Sequence, residues 1–246
     1  MTAAPPRTSG FSAFSLEPFP ELQAGDDLAG AISEVLTCTG TELLDGDVVV
    51  VASKVVSIAE KRYVDLADVT PSAEAVALSA RTGKPAPVVQ LVLDHSTEHF
   101  LATDSGPIIA RHTLGHQLTS AGIDRAGTEG AWLLPEDPDA SARALRDALT
   151  TQTGAKIAVV IADSDGRADR RGATCISIGA AGTAPLRVTE HDGKQQEETF
   201  TDMIAAAAGI ILGQRGRGAP VAILRGIGYT PSDEGVTAML HHGPAR

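Results

Sequence analysis

A continuous apolar run that stops abruptly at a cluster of charges, within residues 156–172, is the feature that most constrains the fold of this chain. Residues 156–162 (KIAVVIA) are mostly β-branched and small apolar residues, which is typical of a strand buried on both faces. The pattern predicts a central strand over 156–162 and a loop beyond it. That loop begins with three successive oxygen-bearing side chains, Asp163, Ser164 and Asp165.

The charged loop combines these oxygen atoms with three arginines, Arg167, Arg170 and Arg171. Carboxylates and hydroxyls are ligands of hard divalent cations, and arginines bind phosphate and carboxylate groups. Acids beside arginines therefore suit a metal ion together with a phosphate. The alternative is a turn whose charges pair with each other in solvent, and the loop alone does not decide between the two.

Composition limits the classes of protein to which the chain can belong. Of its 246 residues, 43% are hydrophobic and only 3% are aromatic, so the core has to be built from Ala, Val, Leu and Ile, as in closely packed α/β layers. The formal net charge of −11 argues against a nucleic-acid binder and against binding to anionic membranes, because both partners select basic surfaces. We expect an α/β (mixed α+β) fold with small-molecule partners.

The cysteines and the N-terminal segment favour a cytoplasmic location. Cys38 and Cys175 are far apart in the sequence and lack the spacing of a metal site, which is typical of a reducing compartment. The N-terminus has no apolar leader segment, and the apolar stretch near 204–212 is too short to span a bilayer. We predict no membrane anchor, a flexible N-terminus over 1–15 and a single domain over 16–246.

Turn residues and apolar periodicity predict the remaining elements. Helices are expected from an Asp27 cap to Leu36, from a Ser72 cap to Arg81, over 88–94, over 142–149 with Asp139 or Ser141 as the cap, and over 202–212. Strands are expected over 47–53, 107–111, 175–182 and 219–225, and a polar loop over 190–201.

Polar residues also follow the predicted strand 47–53. Ser53, Lys54 and Ser57 stand where the end of a buried strand can serve a ligand, although a turn with a solvated lysine explains them equally well. Asp124 is a further acid among glycines. The chain has no Walker-type loop and no dinucleotide fingerprint, so a nucleotide would have to be held in another way.

Seven stretches together share the order of one family over residues 14–235. They are LEPFPELQAGDDL (16–28), GDVVVVAS (46–53), AGIDR (121–125), LLPEDPD (133–139), ADSDGR (162–167), RRG (170–172) and PVAILRG (220–226). On these residues the chain resembles the coenzyme F-420-0:L-glutamate ligases, the γ-glutamyl ligases of deazaflavin cofactor biosynthesis.

The resemblance implies a GTP-dependent amide ligation. A carboxylate of the F-420 precursor is activated by a phosphoryl group of GTP, the amine of L-glutamate displaces phosphate, and GDP leaves. The resemblance also implies divalent cations, Mg²⁺ or Mn²⁺, a fold of two interleaved subdomains around mixed sheets, and an intertwined homodimer. The chemistry suits the residues, because hard cations need carboxylate and hydroxyl oxygens.

The resemblance carries site residues over to this chain. The metal-binding positions are Asp124, Asp163, Ser164 and Gln214, where Ser164 replaces the usual threonine. The nucleotide-contacting positions are Phe19, Pro20, Glu21, Leu22, Ser53, Lys54 and Gln214. The catalytic positions are Asp163, Arg167 and Arg171, and the arginines, with Arg170, are assigned by their charge to phosphate or to substrate carboxylates.

Several features depart from the family pattern. Ile58 stands where family members commonly carry a lysine near the nucleotide, and Ala126-Gly127 stand where they commonly carry Ser-Asn. The segment 185–202 is shorter than expected. Three hypotheses therefore stay open: a ligase of the F-420 precursor, a related ligase that joins another acid and amine, and a non-catalytic binder with the family's dimeric fold. Retention of Asp124, Asp163 and Gln214 argues against complete loss of catalysis, since buried acids without a cation are costly.

Overall fold

The structure is a computed structural model that describes residues 10–213 and 218–241, and it has the expected mixed α/β architecture. The helices of the described residues are α1 (Leu28–Thr39), α2 (Ser53–Ala59), α3 (Ala73–Thr82), α4 (Ala86–Asp94), α5 (Pro138–Thr153) and α6 (Phe200–Leu212). Short 3-10 turns of the same residues lie at Leu66–Asp68, Ser120–Gly122 and Val236–Met239.

The strands of the described residues belong to four sheets. They are β1 (Ser12–Ser15), β2 (Val48–Ala52), β3 (Tyr63–Asp65), β4 (Ser96–Leu101), β5 (Ile108–His112), β6 (Gln117–Thr119), β7 (Asp124–Ala126), β8 (Gly130–Trp132), β9 (Ala158–Gly166), β10 (Ala173–Ala181), β11 (Leu186–His191), β12 (Lys194–Thr199) and β13 (Val221–Arg225).

A five-stranded sheet, the main sheet, forms the centre of the molecule with the strand order β1-β13-β2-β9-β10. β2 and β9 run parallel to each other at its middle, and the other neighbouring pairs are antiparallel. The strands predicted over 47–53, 156–162 and 219–225 are confirmed as β2, β9 and β13. The carboxyl ends of β2 and β9 meet at one edge, because the two strands are parallel neighbours.

Helices cover both faces of the main sheet, which explains why its central strands are apolar throughout. Successive residues of a strand point to opposite faces. On one face, Ile161 packs in a buried cluster with Ile32 of α1 and Leu149 of α5. On the other face, Val160 packs in a second buried cluster with Ala208 of α6.

Residues 63–133 form a separate unit, the inserted lobe, between two parts of the chain that build the main sheet. The inserted lobe contains α3, α4 and two three-stranded sheets, with the orders β3-β8-β7 and β4-β5-β6. These elements surround their own buried apolar cluster, which includes Val89, Val92 and Ile108. Its strand β6 contacts β9 of the main sheet.

Two helix caps agree with the sequence prediction. The Asp27 carboxylate accepts a hydrogen bond of 3.0 Å from the N–H of Gly30 at the start of α1. The Ser72 hydroxyl accepts a hydrogen bond of 3.2 Å from the N–H of Ala75 at the start of α3. Both side chains satisfy an N–H group that has no partner within its helix.

Two segments expected to be irregular are strands instead. Residues 12–15, which the sequence analysis included in a flexible N-terminus, form β1 and pair with β13; residues 1–9 lie outside the described residues. Much of the loop predicted over 190–201 belongs to the hairpin of β11 and β12. Both faces of this hairpin are largely exposed, so its sequence lacks the alternation that marks a half-buried strand.

Two predicted boundaries near the charged residues are wrong. α5 begins at Pro138 and is capped by Asp137, whose carboxylate accepts a hydrogen bond of 2.9 Å from the N–H of Ala140. Asp139, a predicted cap, is instead buried inside the first turn. β9 continues through Asp163 to Gly166, because the backbone there pairs with β10. None of the helices within residues 10–213 and 218–241 has both the length and the apolar character needed to cross a membrane.

Candidate active site

Asp163 is the centre of the candidate site, and its carboxylate is buried at the end of the parallel strand pair. The residue is only 8% exposed. One carboxylate oxygen, Oδ1, accepts a hydrogen bond of 2.6 Å from the Ser53 hydroxyl. The other oxygen, Oδ2, is buried and has no hydrogen-bond partner among the described residues. A buried oxygen without a donor is costly, so an additional group that contacts Oδ2 would bind favourably.

The surroundings of Asp163 raise the pKa of its carboxyl group to about 7. Burial is the largest cause, the hydrogen bonds from the Ser53 hydroxyl and the Ser164 N–H oppose it, and the negative charge of Asp124 raises the pKa further. The last effect means that Asp124, on β7 of the inserted lobe, lies near Asp163 on the main sheet. The fold therefore brings together two acids from different parts of the chain.

A divalent cation fits this pair of acids. Like charges close together repel each other, and a cation would remove that repulsion and give Oδ2 of Asp163 a partner. No three side chains of His, Cys, Asp or Glu gather into a metal-holding group within the part of the chain that the structure describes. The protein would thus supply two carboxylates, from Asp124 and Asp163, and phosphate and water would supply the rest, as is common for Mg²⁺. Gln214, a predicted metal position, lies outside the described residues.

Ser53 reaches Asp163 because Ala52 and Ala162 are register partners in the parallel pair of β2 and β9. The next residue of each segment stands at the same edge, and Ser53 is buried there as the first residue of α2. Ser53 was expected to contact the nucleotide, and no local sequence pattern reports its bond to Asp163, which joins residues 110 positions apart. Lys54, the next residue, is exposed.

Ser164 points to the face of the main sheet opposite Asp163, because the two are successive residues of β9. Ser164 pairs with Cys175 of β10, and its side chain hydrogen-bonds the Cys175 thiol. That thiol packs against Gly209 of α6, where an added Cβ would lie 2.7 Å from the sulfur. The Ser164 hydroxyl is thus engaged by Cys175, whose thiol also lies near the charge of Asp163, and the metal-binding role that the resemblance implies for Ser164 stays a prediction.

A cluster of hydrogen bonds joins the inserted lobe to the end of β9. The N–H of Thr119 donates to Oδ1 of Asp165 at 2.9 Å, and the Thr119 hydroxyl accepts from the N–H of Gly166 at 2.9 Å. Asp165 was predicted to face a cation, but one of its oxygens is engaged by Thr119. Burial raises the pKa of Asp165, and the hydrogen bonds from Thr119 oppose the shift.

Comparison with known proteins identifies the group to which this site belongs. The family model described as F420-0:Gamma-glutamyl ligase matches residues 18–226 of the chain.

The chain belongs to this family.

Its relatives include proteins named coenzyme F420:L-glutamate ligase. The protein from Methanothermobacter thermautotrophicus is 37% identical over 242 residues, which cover 94% of this chain and 96% of that protein. The protein from Archaeoglobus fulgidus is 38% identical over 223 residues, which cover 87% of each. Membership of the F420-0:gamma-glutamyl ligase family makes the chain a ligase that forms a carbon–nitrogen bond in an amide.

The segment assigned to the nucleotide by resemblance to these ligases is partly a core element. Leu22 is buried and Phe19 packs against the same apolar cluster, so these side chains anchor the segment to the core. Pro20 and Glu21 are exposed. Lys61, which no motif of the sequence marks, lies over the following turn, where an added Cβ on Gly25 would overlap its Cε. Lys61 thus adds a cation beside this segment.

The two positions that depart from the F420-0:gamma-glutamyl ligase pattern differ in their surroundings. Ile58 of α2 packs against the apolar cluster on the α1 and α5 face of the main sheet. Gly127 follows β7, has a φ of +63° and has no atom within 4 Å of an added Cβ. An asparagine fits there better than most residues, since it tolerates the left-handed conformation.

The predicted anion-binding arginines lie on the turn that joins β9 to β10. Arg167, Arg170 and Arg171 are all exposed. Arg170 pairs with the neighbouring Asp169 at 2.9 Å, in a fully solvated position where such a pair contributes little to stability. The turn therefore places three positively charged side chains at the same end of the main sheet as Asp163, where a substrate anion can reach them.

Proposed function

We propose that the chain ligates L-glutamate to the coenzyme F-420-0 precursor in a reaction that depends on GTP and on Mg²⁺ or Mn²⁺. One structural observation carries the proposal: the buried, unpartnered Oδ2 of Asp163 lies in a site that Asp124 also approaches. Support for the substrates comes from the relatives, which are named coenzyme F420:L-glutamate ligase and match nearly the whole chain.

Asp124 and Asp163 are the residues that would hold the divalent cation. When bound, the cation supplies positive charge that neutralises the phosphate groups of the nucleotide. The Ser53 hydroxyl fixes the orientation of the Asp163 carboxylate through Oδ1 and leaves Oδ2 for the cation. Because burial raises the pKa of Asp163 to about 7, the cation competes with a proton for this group.

The proposed reaction has two balanced steps. The carboxylate of the precursor attacks the γ-phosphorus of GTP, the bond to the bridging oxygen breaks, and GDP leaves with the electron pair. The amine of L-glutamate then attacks the acyl phosphate, loses a proton and displaces inorganic phosphate. Arg167 and Arg171 on the exposed turn bind the phosphate or the carboxylate of a substrate, since guanidinium groups pair with both in a bidentate manner.

The direct test is incubation of the protein with GTP, Mn²⁺, L-glutamate and the deazaflavin precursor, with the product measured by mass. We expect a product that carries one or more added glutamates and an equal amount of GDP. Precursor that stays unmodified, while GDP forms with another acid and amine, would support the second candidate. That candidate, a related ligase with other substrates, is favoured by Ile58, by Gly127 and by the exposed hairpin of β11 and β12.

The departures at Ile58 and Gly127 predict weak binding of GTP. Loss of a lysine contact and of an asparagine contact removes roughly 1–3 kcal/mol each, because both are charge-assisted or buried hydrogen bonds. GTP should therefore bind about two orders of magnitude more weakly than in a relative that has both residues. The variant that combines Ile58→Lys with Gly127→Asn should tighten binding in a nucleotide titration with Mg²⁺ present. A wild type that already binds at low micromolar concentration, without a gain in the variant, would indicate a rebuilt site in which Lys54 or Lys61 supplies the charge.

We also propose an intertwined homodimer that works in the cytoplasm. The exposed side of α6 supports the dimer, because Met203 and Ile210 lie two turns apart on it and are 39% and 79% exposed. Light scattering at micromolar concentration should give twice the mass of the chain, and Ile210→Glu should lower it. A wild-type monomer would contradict the proposal.

A further inference from the structure

The two acids of the candidate site are carried by different parts of the fold. Asp163 lies on β9 of the main sheet, and Asp124 lies on β7 of the inserted lobe. Neither sheet contains both strands, so backbone pairing within a sheet does not fix the distance between the carboxylates. That distance depends on the contacts that join the lobe to β9.

Thr119 forms such a junction directly beyond Asp163. Its N–H donates to Oδ1 of Asp165 at 2.9 Å, and its hydroxyl accepts from the N–H of Gly166 at 2.9 Å and donates to the Gly166 carbonyl at 3.2 Å. The approach is close, because a Cβ on Gly166 would lie 2.6 Å from the Thr119 hydroxyl oxygen. The end of β9 and the end of β6 are therefore held together by both backbone and side-chain groups.

The chain between Thr119 and Asp124 has an unfavourable backbone conformation. Ser120 and Ala121 have φ values of 52° and 51°, and Gly122 has 67°, so three successive residues are left-handed. Non-glycine residues adopt this region at a cost and keep it only where the surroundings enforce it. Asp124 follows this turn after a single residue, so the turn sets where its carboxylate lies.

The hydroxyl of Ser120 does not hold the turn. It is buried and has no hydrogen-bond partner, and it shares this property with Oδ2 of Asp163 alone among the buried side-chain atoms of the described residues. The two unpartnered oxygens thus belong to the two segments that Thr119 joins.

We infer that Thr119 and Asp165 are positioning residues that set the separation between Asp124 and Asp163 across this junction. The inference rests on the proposed cation site for its functional meaning. Neither residue belongs to the proposed ligand pair, Asp124 and Asp163. Thr119 holds the start of the left-handed turn against β9. Asp165 fixes the orientation of Thr119 by accepting a hydrogen bond from the backbone N–H of Thr119. Hydrogen bonds that orient metal ligands in this way commonly change metal affinity by about 10–100-fold when they are removed.

The test replaces the hydroxyl of Thr119 without changing its shape. Calorimetric titration with Mn²⁺ should show affinity about 10-fold lower in Thr119→Val, at the lower end of effects of this kind. Thr119→Ser, which keeps the hydroxyl, should bind Mn²⁺ with the affinity of the wild type. Asp165→Ala breaks the junction from the β9 side and should have a similar effect. Thr82→Val is a matched control, because Thr82 is also partly buried and its hydroxyl bonds the Leu78 carbonyl within the inserted lobe.

Thermal unfolding and amide hydrogen exchange of the metal-free protein separate this inference from the proposed function. If Thr119→Val unfolds at a lower temperature but binds Mn²⁺ like the wild type, the role is structural only and the inference is wrong. If the wild type binds no Mn²⁺, the proposed cation site is wrong, and amide hydrogen exchange of residues 120–126 then tests the positioning role. Faster exchange than in the wild type in Thr119→Val, but not in Thr82→Val, supports that role. Equal exchange in Thr119→Val and the wild type overturns it.

Discussion

Asp139 and Asp163 are both buried aspartates against the main sheet, yet their surroundings are opposite. Asp139, in the first turn of α5, is 5% exposed and accepts hydrogen bonds on both oxygens. The donors are the N–H groups of Ala180, Val236 and Thr237, at 2.9, 2.8 and 3.0 Å, and the Thr237 hydroxyl at 2.7 Å. Asp163 receives one side-chain hydrogen bond and keeps one oxygen without a partner.

The comparison shows that burial alone does not distinguish a functional acid from a structural one. Asp139 compensates its desolvation with four donors and joins the C-terminal segment at 236–237 to β10, so it stabilises the fold. Asp163 is under-compensated, and Asp124 adds repulsion to the cost. A carboxylate that a fold leaves unsatisfied is the better candidate for binding a cation.

Replacement of the satisfied acid should have the largest effect. Asp139→Ala leaves the buried N–H groups of Ala180 and Val236 and the part-buried N–H of Thr237 without an acceptor. At about 1–3 kcal/mol for each buried group, we expect the free energy of unfolding to fall by roughly 4 kcal/mol. Urea denaturation measures the loss. The control is Asp137→Ala on the same helix, which removes one exposed cap bond and should cost about 1 kcal/mol. Equal losses in the two variants would show that Asp139 does not hold the C-terminal segment.

Replacement of the unsatisfied acid should affect binding and not folding. Asp163→Asn keeps an oxygen that accepts from Ser53 but removes the charge, so Mn²⁺ should bind at least about 100-fold more weakly, equivalent to about 2.7 kcal/mol. Turnover should be lost while the temperature of unfolding stays at or above that of the wild type. Unchanged Mn²⁺ binding in calorimetry would remove Asp163 from the cation site.

The central strands of the main sheet could be predicted from sequence because they are buried on both faces. The apolar runs of β2, β9 and β13 are long enough that a local pattern identifies them. The polar end of β9 could not be predicted in the same way. Residues 163–166 resemble a loop in composition, and only their pairing with β10 makes them a strand.

The candidate site could be predicted only in part. Asp124 and Asp163 followed from the resemblance and from the position of polar residues at a strand end. The bond from Ser53 to Asp163 and the bond from Val236 to Asp139 join residues 110 and 97 positions apart. A single sequence contains no local pattern that reports such contacts, so the division between a satisfied and an unsatisfied acid emerged only from the fold.

The pH dependence of stability should distinguish the wild type from Asp163→Asn by a smaller amount. The Asp163 carboxyl has a pKa of about 7 in the folded chain and about 3.9 in an unfolded chain. Its protonated form therefore stabilises the fold, and this contribution is lost as the pH rises from about 4 to about 7. Between these pH values, we expect the free energy of unfolding of the metal-free wild type to fall by at least about 1.4 kcal/mol more than that of Asp163→Asn. This difference is equivalent to a shift of one pKa unit.

Mn²⁺ should reverse this loss, because the cation binds the ionised carboxylate. The groups that act on Asp163 are Ser53 of α2, Asp124 of β7 and, within β9 itself, the Ser164 N–H and Asp165, and all of them are unchanged in Asp163→Asn. Parallel pH profiles of the two proteins, measured by urea denaturation without metal, would show that Asp163 is ionised at all these pH values and that the unsatisfied oxygen carries no cost.

The smallest effect is expected at Ser164, the chain neighbour of Asp163. Because Ser164 faces the other side of the main sheet and its side chain hydrogen-bonds the Cys175 thiol, Ser164→Ala should change Mn²⁺ affinity by less than about threefold, well under the 1.4 kcal/mol of a tenfold change. Ser164→Thr, which restores the residue usual in the family, serves as the control and should bind Mn²⁺ like the wild type. An affinity in Ser164→Ala as low as that of Asp163→Asn would mean that the end of β9 turns both side chains towards the cation. The ligand set implied by the resemblance would then hold, and the site of two carboxylates would be incomplete.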